Sequence, residues 1–316
     1  MFKKRVKTVH VSLVAAVLAL PASAVTPASP GFTVVEGGRG FYRLDDAVKA
    51  LNGGDGTISV APGRYPDCAV IGQGNVTIRA ATPSTAIFDG GTCEGKATLV
   101  FRGTSGTVDG LVFQNIRVPD RNGAGIRAEK GDLTVVRSTF RNSEQGILSA
   151  DDPAGAIKVE RSTFSGLGGC PDGMCSHSIY VGGYGSLSVN RVRFERGTGG
   201  HYLKSRAAKV AVLDSSFDDT GGTATNYMID LPAGATGQIA RNMFVVGKNK
   251  ENRSALIAVA AENRTNPSAG LSVSGNDASL APGIGWSTFF VADWSREPLA
   301  LGTNRLGPGI KPFETR

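Results

Sequence analysis

A short phrase recurs along most of the chain: a few β-forming residues, then a phenylalanine, then a polar turn. The six phrases are LVFQN at Phe113, STFRN at Phe140, STFSG at Phe164, VRFER at Phe194, SSFDD at Phe217 and NMFVV at Phe244. Successive phenylalanines are 27, 24, 30, 23 and 27 residues apart. A repeat of roughly 20–50 residues is one supersecondary unit that buries its apolar face only against its neighbours. The pattern therefore predicts a stack of similar coils.

A second apolar position lies between these phrases and shows which part of the repeat has a fixed length. Its six members are Ile126, Ile147, Ile179, Leu203, Ile229 and Ile257. From this position to the next phenylalanine the distances are 14, 17, 15, 14 and 15 residues. From each phenylalanine to this position they are 13, 7, 15, 9, 12 and 13 residues, so insertions collect at one corner of the coil.

The repeat favours strands over helices, because we find no apolar stripe of period 3.6 within it. Short apolar runs divided by Gly, Asn and Asp predict an all-β fold, a single-stranded parallel β-helix whose Phe and Ile or Leu side chains form inward ladders. The segment 42–51 (YRLDDAVKAL) has helical spacing and is expected to cap the open end. We expect an N-terminal segment with this capping helix over 25–56, the β-helix over 57–300 and a C-terminal tail over 301–316.

The N-terminus has the pattern of an export signal. Basic residues up to Lys7 precede an apolar run, Val11–Leu20, that is too short to span a bilayer, and cleavage is expected after Ala24. Residues 1–24 are thus predicted to be a signal peptide, which makes the protein secreted or periplasmic without stable membrane insertion. Four of the 34 basic residues lie in this segment, so the remaining chain carries a formal charge of only +3, which argues against a nucleic-acid partner.

The four cysteines are read as two disulfides, because an exported chain folds under oxidising conditions. Pairing of nearest neighbours gives Cys68–Cys93 and Cys170–Cys175. A zinc site is the rival interpretation, but the cysteine and histidine spacing does not match one.

The order of a short helix, the strand TISVAPGRY (Thr57–Tyr65) and then phenylalanine-marked coils resembles the pectin-lyase-like right-handed parallel β-helix superfamily. The resemblance covers roughly residues 40–290 and implies a right-handed coil. The superfamily includes polysaccharide lyases, hydrolases, epimerases, esterases, phage tailspikes and adhesins. Fold alone does not choose among these functions.

Residues directly after the second apolar position are expected to point outward and to form one ladder across the coils. The ladder reads Arg127, Leu148, Tyr180, Lys204, Asp230 and Ala258. Tyr180, Lys204 and Asp230 are therefore predicted to lie side by side on successive coils, with Arg206 outward on the same strand as Lys204.

Two histidines, His177 and His201, lie two residues before the apolar position on adjacent coils. Strand alternation alone would turn both inward, where they could form a stacked corner that bonds to the backbone. A role on the outer face requires a bend at Gly199–Gly200. Tyr202 and Tyr227 belong to the same local phrases and are added to the expected site.

A basic and aromatic face on a β-helix is suited to an acidic polysaccharide, and the leading hypothesis is β-elimination of a uronate chain. The catalytic candidates are Arg206 to neutralise the carboxylate, Lys204 or His201 as the base, and Tyr180 as acid or base. Substrate contacts are expected from His177, Tyr202, Asp230, Tyr227 and Arg127. The alternatives are a non-catalytic glycan-binding or adhesive solenoid and a polyuronate C5-epimerase. No cofactor or metal is predicted; Ca²⁺ is conceivable, but no acidic cluster supports it.

Overall fold

The structure, a computed structural model, describes residues 29–316, and the expected signal peptide lies outside them. The described chain is a parallel β-solenoid of about 9 turns. Each full turn adds one short strand to each of three sheets, here called A, B and C, so residues of successive coils become hydrogen-bonded neighbours. The predicted all-β parallel β-helix is confirmed.

The strands of the three sheets have the following bounds. Sheet A consists of Arg39–Phe41, Phe32–Val34, Gly56–Val60, Asn75–Ala80, Ser105–Asp109, Asp132–Val136, Asp152–Glu160, Tyr184–Asn190, Lys209–Leu213, Thr236–Ala240, Ser272–Ser274 and Ala300–Leu301. Sheet B consists of Gly63–Tyr65, Ala86–Asp89, Val112–Gln114, Thr139–Arg141, Thr163–Ser165, Arg193–Glu195, Ser216–Asp218, Met243–Val246, Asp277–Leu280 and Arg305–Leu306. Sheet C consists of Ala69–Ile71, Ala97–Phe101, Ala124–Ala128, Gln145–Ser149, Ile179–Val181, Leu203–Ser205, Ile229–Leu231, Ala255–Val259, Thr288–Asp293 and Ile310–Thr315.

A helix lies at the N-terminal end of the described chain, as expected for a cap. It spans Leu44–Ala50, slightly shorter than the predicted 42–51, and buries Leu44 and Ala47 against the first coils. An antiparallel hairpin of Phe32–Val34 and Arg39–Phe41 extends sheet A at the same end. Two short 3-10 turns, Val35–Gly37 and Pro171–Gly173, complete the helical elements of the described residues.

The core is built from the two predicted ladders. The six phenylalanines of the repeat, preceded by Phe88, are paired strand to strand and fully or almost fully buried. Their ring centroids are 4.7 to 5.6 Å apart, close to the spacing of paired strands. The Ile and Leu ladder runs along sheet C and is equally buried. Burial and stacking along the rod therefore hold the coils in register.

The C-terminal residues differ from the expected tail. Arg305–Leu306 pairs with Asp277–Leu280, and Ile310–Thr315 pairs with Thr288–Asp293, so the segment 301–316 forms part of a last coil. Gly302, Gly307, Pro308 and Gly309 lie at the corners between its strands, whereas Pro312 lies within the last strand. Ile310 is buried against the coil before it, which explains why the segment continues the solenoid.

Both predicted disulfides are present: Cys68–Cys93 joins the first coil to the second, and Cys170–Cys175 closes a loop in the largest insertion. Of residues 29–316, no helix has the length and apolar character needed to cross a membrane.

Candidate functional site

Sheet C brings the predicted polar row together. Tyr180 pairs directly with Lys204, and Lys204 pairs directly with Asp230. Leu148 precedes this row and Ala258 follows it, so the row of polar side chains covers three coils. The predicted adjacency of the three residues is confirmed. It arises because the segment from each Ile or Leu mark to the next phenylalanine keeps nearly the same length.

His201 lies on the outer face with this row because the strand alternation is broken just before Leu203. Gly199 has φ +139° and Gly200 has φ +61°, conformations that side-chain-bearing residues rarely adopt. Tyr202 and Leu203 both point inward, which leaves His201 outside. Its Nε2 lies 3.3 Å from Asp230 Oδ2. The bend that an outward histidine requires is therefore present.

The two histidines and Tyr227 form a stacked column beside the row. The rings of His177 and His201 are 4.8 Å apart at 14°, and those of His201 and Tyr227 are 5.5 Å apart at 6°. The backbone N–H of His201 donates to His177 Nδ1 (3.0 Å), and that of Tyr227 donates to His201 Nδ1 (3.1 Å). Each imidazole therefore carries its proton on Nε2.

Burial keeps this column neutral. It lowers the pKa of His177 to about 3 and lowers the pKa of His201 well below its ordinary range. Nδ1 of His201 accepts the Tyr227 N–H, and its protonated Nε2 faces Asp230. The ring consequently offers no free lone pair for taking a proton from a substrate, and the column has the structural, backbone-bonded form that the sequence left open.

We expect the replacement His177→Gln to make the protein less sensitive to acid. Below pH 6.5 the unfolded chain binds a proton at this histidine and the folded chain does not, so stability is lost as the pH falls from 6.5 towards 3. The contribution is about 1.4 kcal/mol per pH unit in that window. Gln145 occupies the equivalent corner two residues before Ile147, so the variant has a precedent in the chain. Urea unfolding at several pH values should show that the free energy of unfolding falls less steeply with decreasing pH in the variant than in wild type. The same pH dependence in both proteins would contradict a neutral, buried histidine.

Lys204 and Arg206 converge on one carboxylate, that of Glu262. Lys204 Nζ lies 2.6 Å from Glu262 Oε1, and Arg206 Nη2 is bonded to Glu262 Oε2. Arg206 Nε also donates to the Tyr180 hydroxyl oxygen at 3.1 Å, and Lys204 Nζ lies 5.6 Å from the centre of the Tyr180 ring. Burial opposes ionisation of Glu262, but the hydrogen bonds from Lys204 and Arg206 outweigh it and lower its pKa.

Asp230 is the buried acid of the site. Its Oδ2 lies 3.7 Å from Lys204 Nζ and 3.3 Å from His201 Nε2, whereas Oδ1 has no hydrogen-bond partner among the described residues. Burial raises the pKa of Asp230 to about 7, and the Lys204 ammonium only partly offsets that effect. Asp230 therefore changes charge near neutral pH while touching both Lys204 and His201.

Tyr202 does not belong to this face. Its side chain packs in the core against Phe194 and Phe217 and is 1% exposed. Its hydroxyl donates to Asp219 Oδ1 at 2.7 Å, beside a buried Asp219–Lys250 ion pair. The expected substrate contact by Tyr202 is therefore corrected to a core role, because the bend that turns His201 out turns Tyr202 in.

A cleft of about 520 Å³ adjoins the row on the side of the earlier coils. Arg127, Tyr180 and Arg206 line it together. Its other lining residues are Lys96, Asp120, Asn122, Leu148, Ser149, Asp151 and Gly182. A second cavity of about 310 Å³ adjoins this cleft, since Arg206 and Asp151 line both. The loop closed by Cys170–Cys175 lines neither cavity.

Sequence reasoning missed Glu262, which lies 58 residues beyond Lys204. It follows the strand Ala255–Val259 in a long insertion whose composition, AAENRTNPSAG, indicated only a loop. The available signal was the length of this insertion after Ile257, which exceeds the corresponding connections of the preceding coils. Among residues 29–316, no group of three or more His, Cys, Asp or Glu side chains is arranged to hold a metal ion.

Among the comparisons with known proteins, the one with solved structures supports the fold. No protein-family model and no curated protein sequence matches the chain. A solved structure of rice weevil pectin methyl esterase is similar with a TM-score of 0.51 and 9% identity, covering 83% of this chain and 92% of that one. ORF18 of Geobacillus virus E2 is similar with a TM-score of 0.52 and 11% identity, covering 86% of this chain but 57% of its own. At this level of identity the likeness concerns architecture alone. The chain therefore has a parallel β-helix fold, as the sequence predicts.

Proposed function

We propose that the protein is a secreted or periplasmic enzyme that cleaves a uronate-containing acidic polysaccharide by β-elimination. The observation that carries the proposal is that Lys204 and Arg206 together bind one carboxylate, that of Glu262. This pair of cations lies beside the Tyr180 hydroxyl, at the edge of the cleft of about 520 Å³. A β-helical neighbour named as a pectin methyl esterase acts, by that name, on a uronate polymer. Two disulfides fit an oxidising compartment.

The proposed reaction starts when Arg206 and Lys204 bind the uronate carboxylate. Neutralising the charge of this carboxylate makes the proton on C5 more acidic. Tyr180, in its phenolate form, takes the C5 proton, and the electron pair of the C5–H bond forms the C4–C5 double bond as the C4–O4 bond breaks. The leaving O4 then takes the proton from the Tyr180 hydroxyl. Arg206 Nε, 3.1 Å from the phenol oxygen, is placed to stabilise negative charge on it.

The contacts assign different parts to the other candidates. Lys204 is surrounded by the carboxylates of Asp230 and Glu262 and serves in this proposal as a cation rather than as the base. His201 does not act as the base in this proposal, because Nδ1 accepts the Tyr227 N–H and Nε2 carries the proton and lies 3.3 Å from Asp230 Oδ2. Arg127 and Lys96, which line the same cleft, would contact further carboxylates of the polymer.

The test is a panel of acidic polysaccharides, with ultraviolet absorbance as the measure of new unsaturated ends. Lys204→Ala and Arg206→Ala should each lower kcat/KM at least about 100-fold, because the carboxylate is neutralised only while both cations are present. Arg241→Ala is the matched control, since it removes an ion-paired arginine from another part of the rod and should leave activity unchanged.

Two other outcomes distinguish the alternatives. Exchange of deuterium from solvent into C5 without chain cleavage would replace the lyase proposal by a C5-epimerase, which begins with the same proton abstraction. Binding without absorbance change or exchange on any polyuronate would show a glycan-binding solenoid instead.

A further inference from the structure

The anion site of this face is occupied by the chain itself. Glu262 reaches Lys204 Nζ at 2.6 Å and Arg206 Nη2 with its two carboxylate oxygens. In the sequence it is 58 residues from Lys204 and 56 from Arg206, so a loop from later coils supplies the contact. This bridging of a lysine and an arginine by one carboxylate is the arrangement that a bound uronate would adopt.

The backbone of this loop is anchored, whereas the Glu262 side chain is accessible. The N–H groups of Glu262 and Asn263 donate to the Pro232 carbonyl at 3.0 and 2.9 Å, and Asn266 Nδ2 donates to the Arg206 carbonyl at 3.1 Å. The Glu262 side chain is 44% exposed, compared with 12% for Lys204. Rotation of this one side chain would therefore uncover both cations without moving the loop.

We propose that Glu262 is an internal competitor that a uronate carboxylate displaces, and that it thereby restricts the site to polymers with free, unesterified carboxylates. This inference rests on the proposed function and specifies its substrate class. The two cations face two carboxylates, Asp230 and Glu262. A free uronate carboxylate replaces the negative charge of Glu262, so the two cations still face two carboxylates.

A neutral or esterified sugar cannot make this exchange. It would leave Lys204, which is largely buried, without the closer of its two counter-charges, and an unpaired, desolvated charge is costly. Discrimination against esters thus has two sources: an ester cannot replace the ion pairs that Glu262 makes with the two cations, and the cations attract the free acid.

The test is calorimetric binding to wild type and to Glu262→Gln, which keeps the shape and removes the charge. The probes are inorganic sulfate and short oligomers of galacturonate, mannuronate and guluronate, each uronate also as its methyl ester. We expect sulfate and the preferred free oligouronate to bind about tenfold more tightly to the variant. Glu262→Ala should show the same direction. Asp214→Asn, which removes a carboxylate bonded to Arg241 elsewhere, should change affinity less than twofold.

The outcomes separate this inference from the function on which it rests. Unchanged or weaker binding of both probes to Glu262→Gln and Glu262→Ala, with thermal unfolding showing that both are folded, overturns the competitor role, even if wild type cleaves a polyuronate. Tighter sulfate binding supports the competitor role. If no oligouronate binds any variant, the substrate class is wrong. Equal affinity of wild type for free and esterified oligomers also overturns the restriction to free carboxylates.

Discussion

Tyr180→Phe is expected to lower kcat for β-elimination at least about 100-fold while KM changes less than about threefold. The variant removes only the hydroxyl that accepts the Arg206 Nε–H, and it keeps the ring beside Lys204. The cations that hold the carboxylate remain, so binding should survive while proton transfer is lost. Initial rates measured by absorbance over a range of polymer concentrations separate the two constants.

The control for this prediction is Tyr65→Phe, which also removes one tyrosine hydroxyl, bonded to the Ala61 carbonyl in the first coils. It should have wild-type kinetics. A Tyr180→Phe enzyme that turns over normally would assign proton transfer to another group. A rise in KM with unchanged kcat would make Tyr180 a sugar contact only.

Phe164→Ala is expected to lower the free energy of unfolding by about 3–5 kcal/mol. The Phe164 ring lies between those of Phe140 and Phe194, with centroids 4.7 and 5.2 Å away. It also packs against the backbone of Gly146, where a Cβ would approach the ring to 2.6 Å. Because the backbone ladders of the neighbouring coils fix their spacing, the space left by the ring cannot close.

Urea unfolding followed by circular dichroism measures this loss, with Tyr42→Ala as the control. Tyr42 is an aromatic residue that is 62% exposed, so its removal should cost less than about 0.5 kcal/mol. A loss below about 1 kcal/mol for Phe164→Ala would show that the stacked ring is not a major source of stability in this part of the rod.

The repeat made the register of the face predictable. Tyr180, Lys204 and Asp230 are neighbours because each coil has nearly the same number of residues between its Ile or Leu and its next phenylalanine. Backbone pairing then converts equal positions into contacts. The orientation of Tyr202 was not predictable from alternation, because two consecutive inward residues, Tyr202 and Leu203, break the period at a glycine bend.

The sequence by itself determined the coil, its two inward ladders and the row of polar residues, since these follow from the local period and from equal spacing between repeats. It also determined the disulfide pairing, since each cysteine pairs with its nearest neighbour along the chain. Only the tertiary structure decided that the histidines stack as a neutral, backbone-bonded column and that Asp230 is buried with an unpaired oxygen. Only the structure brought Glu262 onto Lys204 and Arg206. Insertion loops have no fixed period, so the place where their side chains return to the rod depends on packing between coils far apart in the sequence.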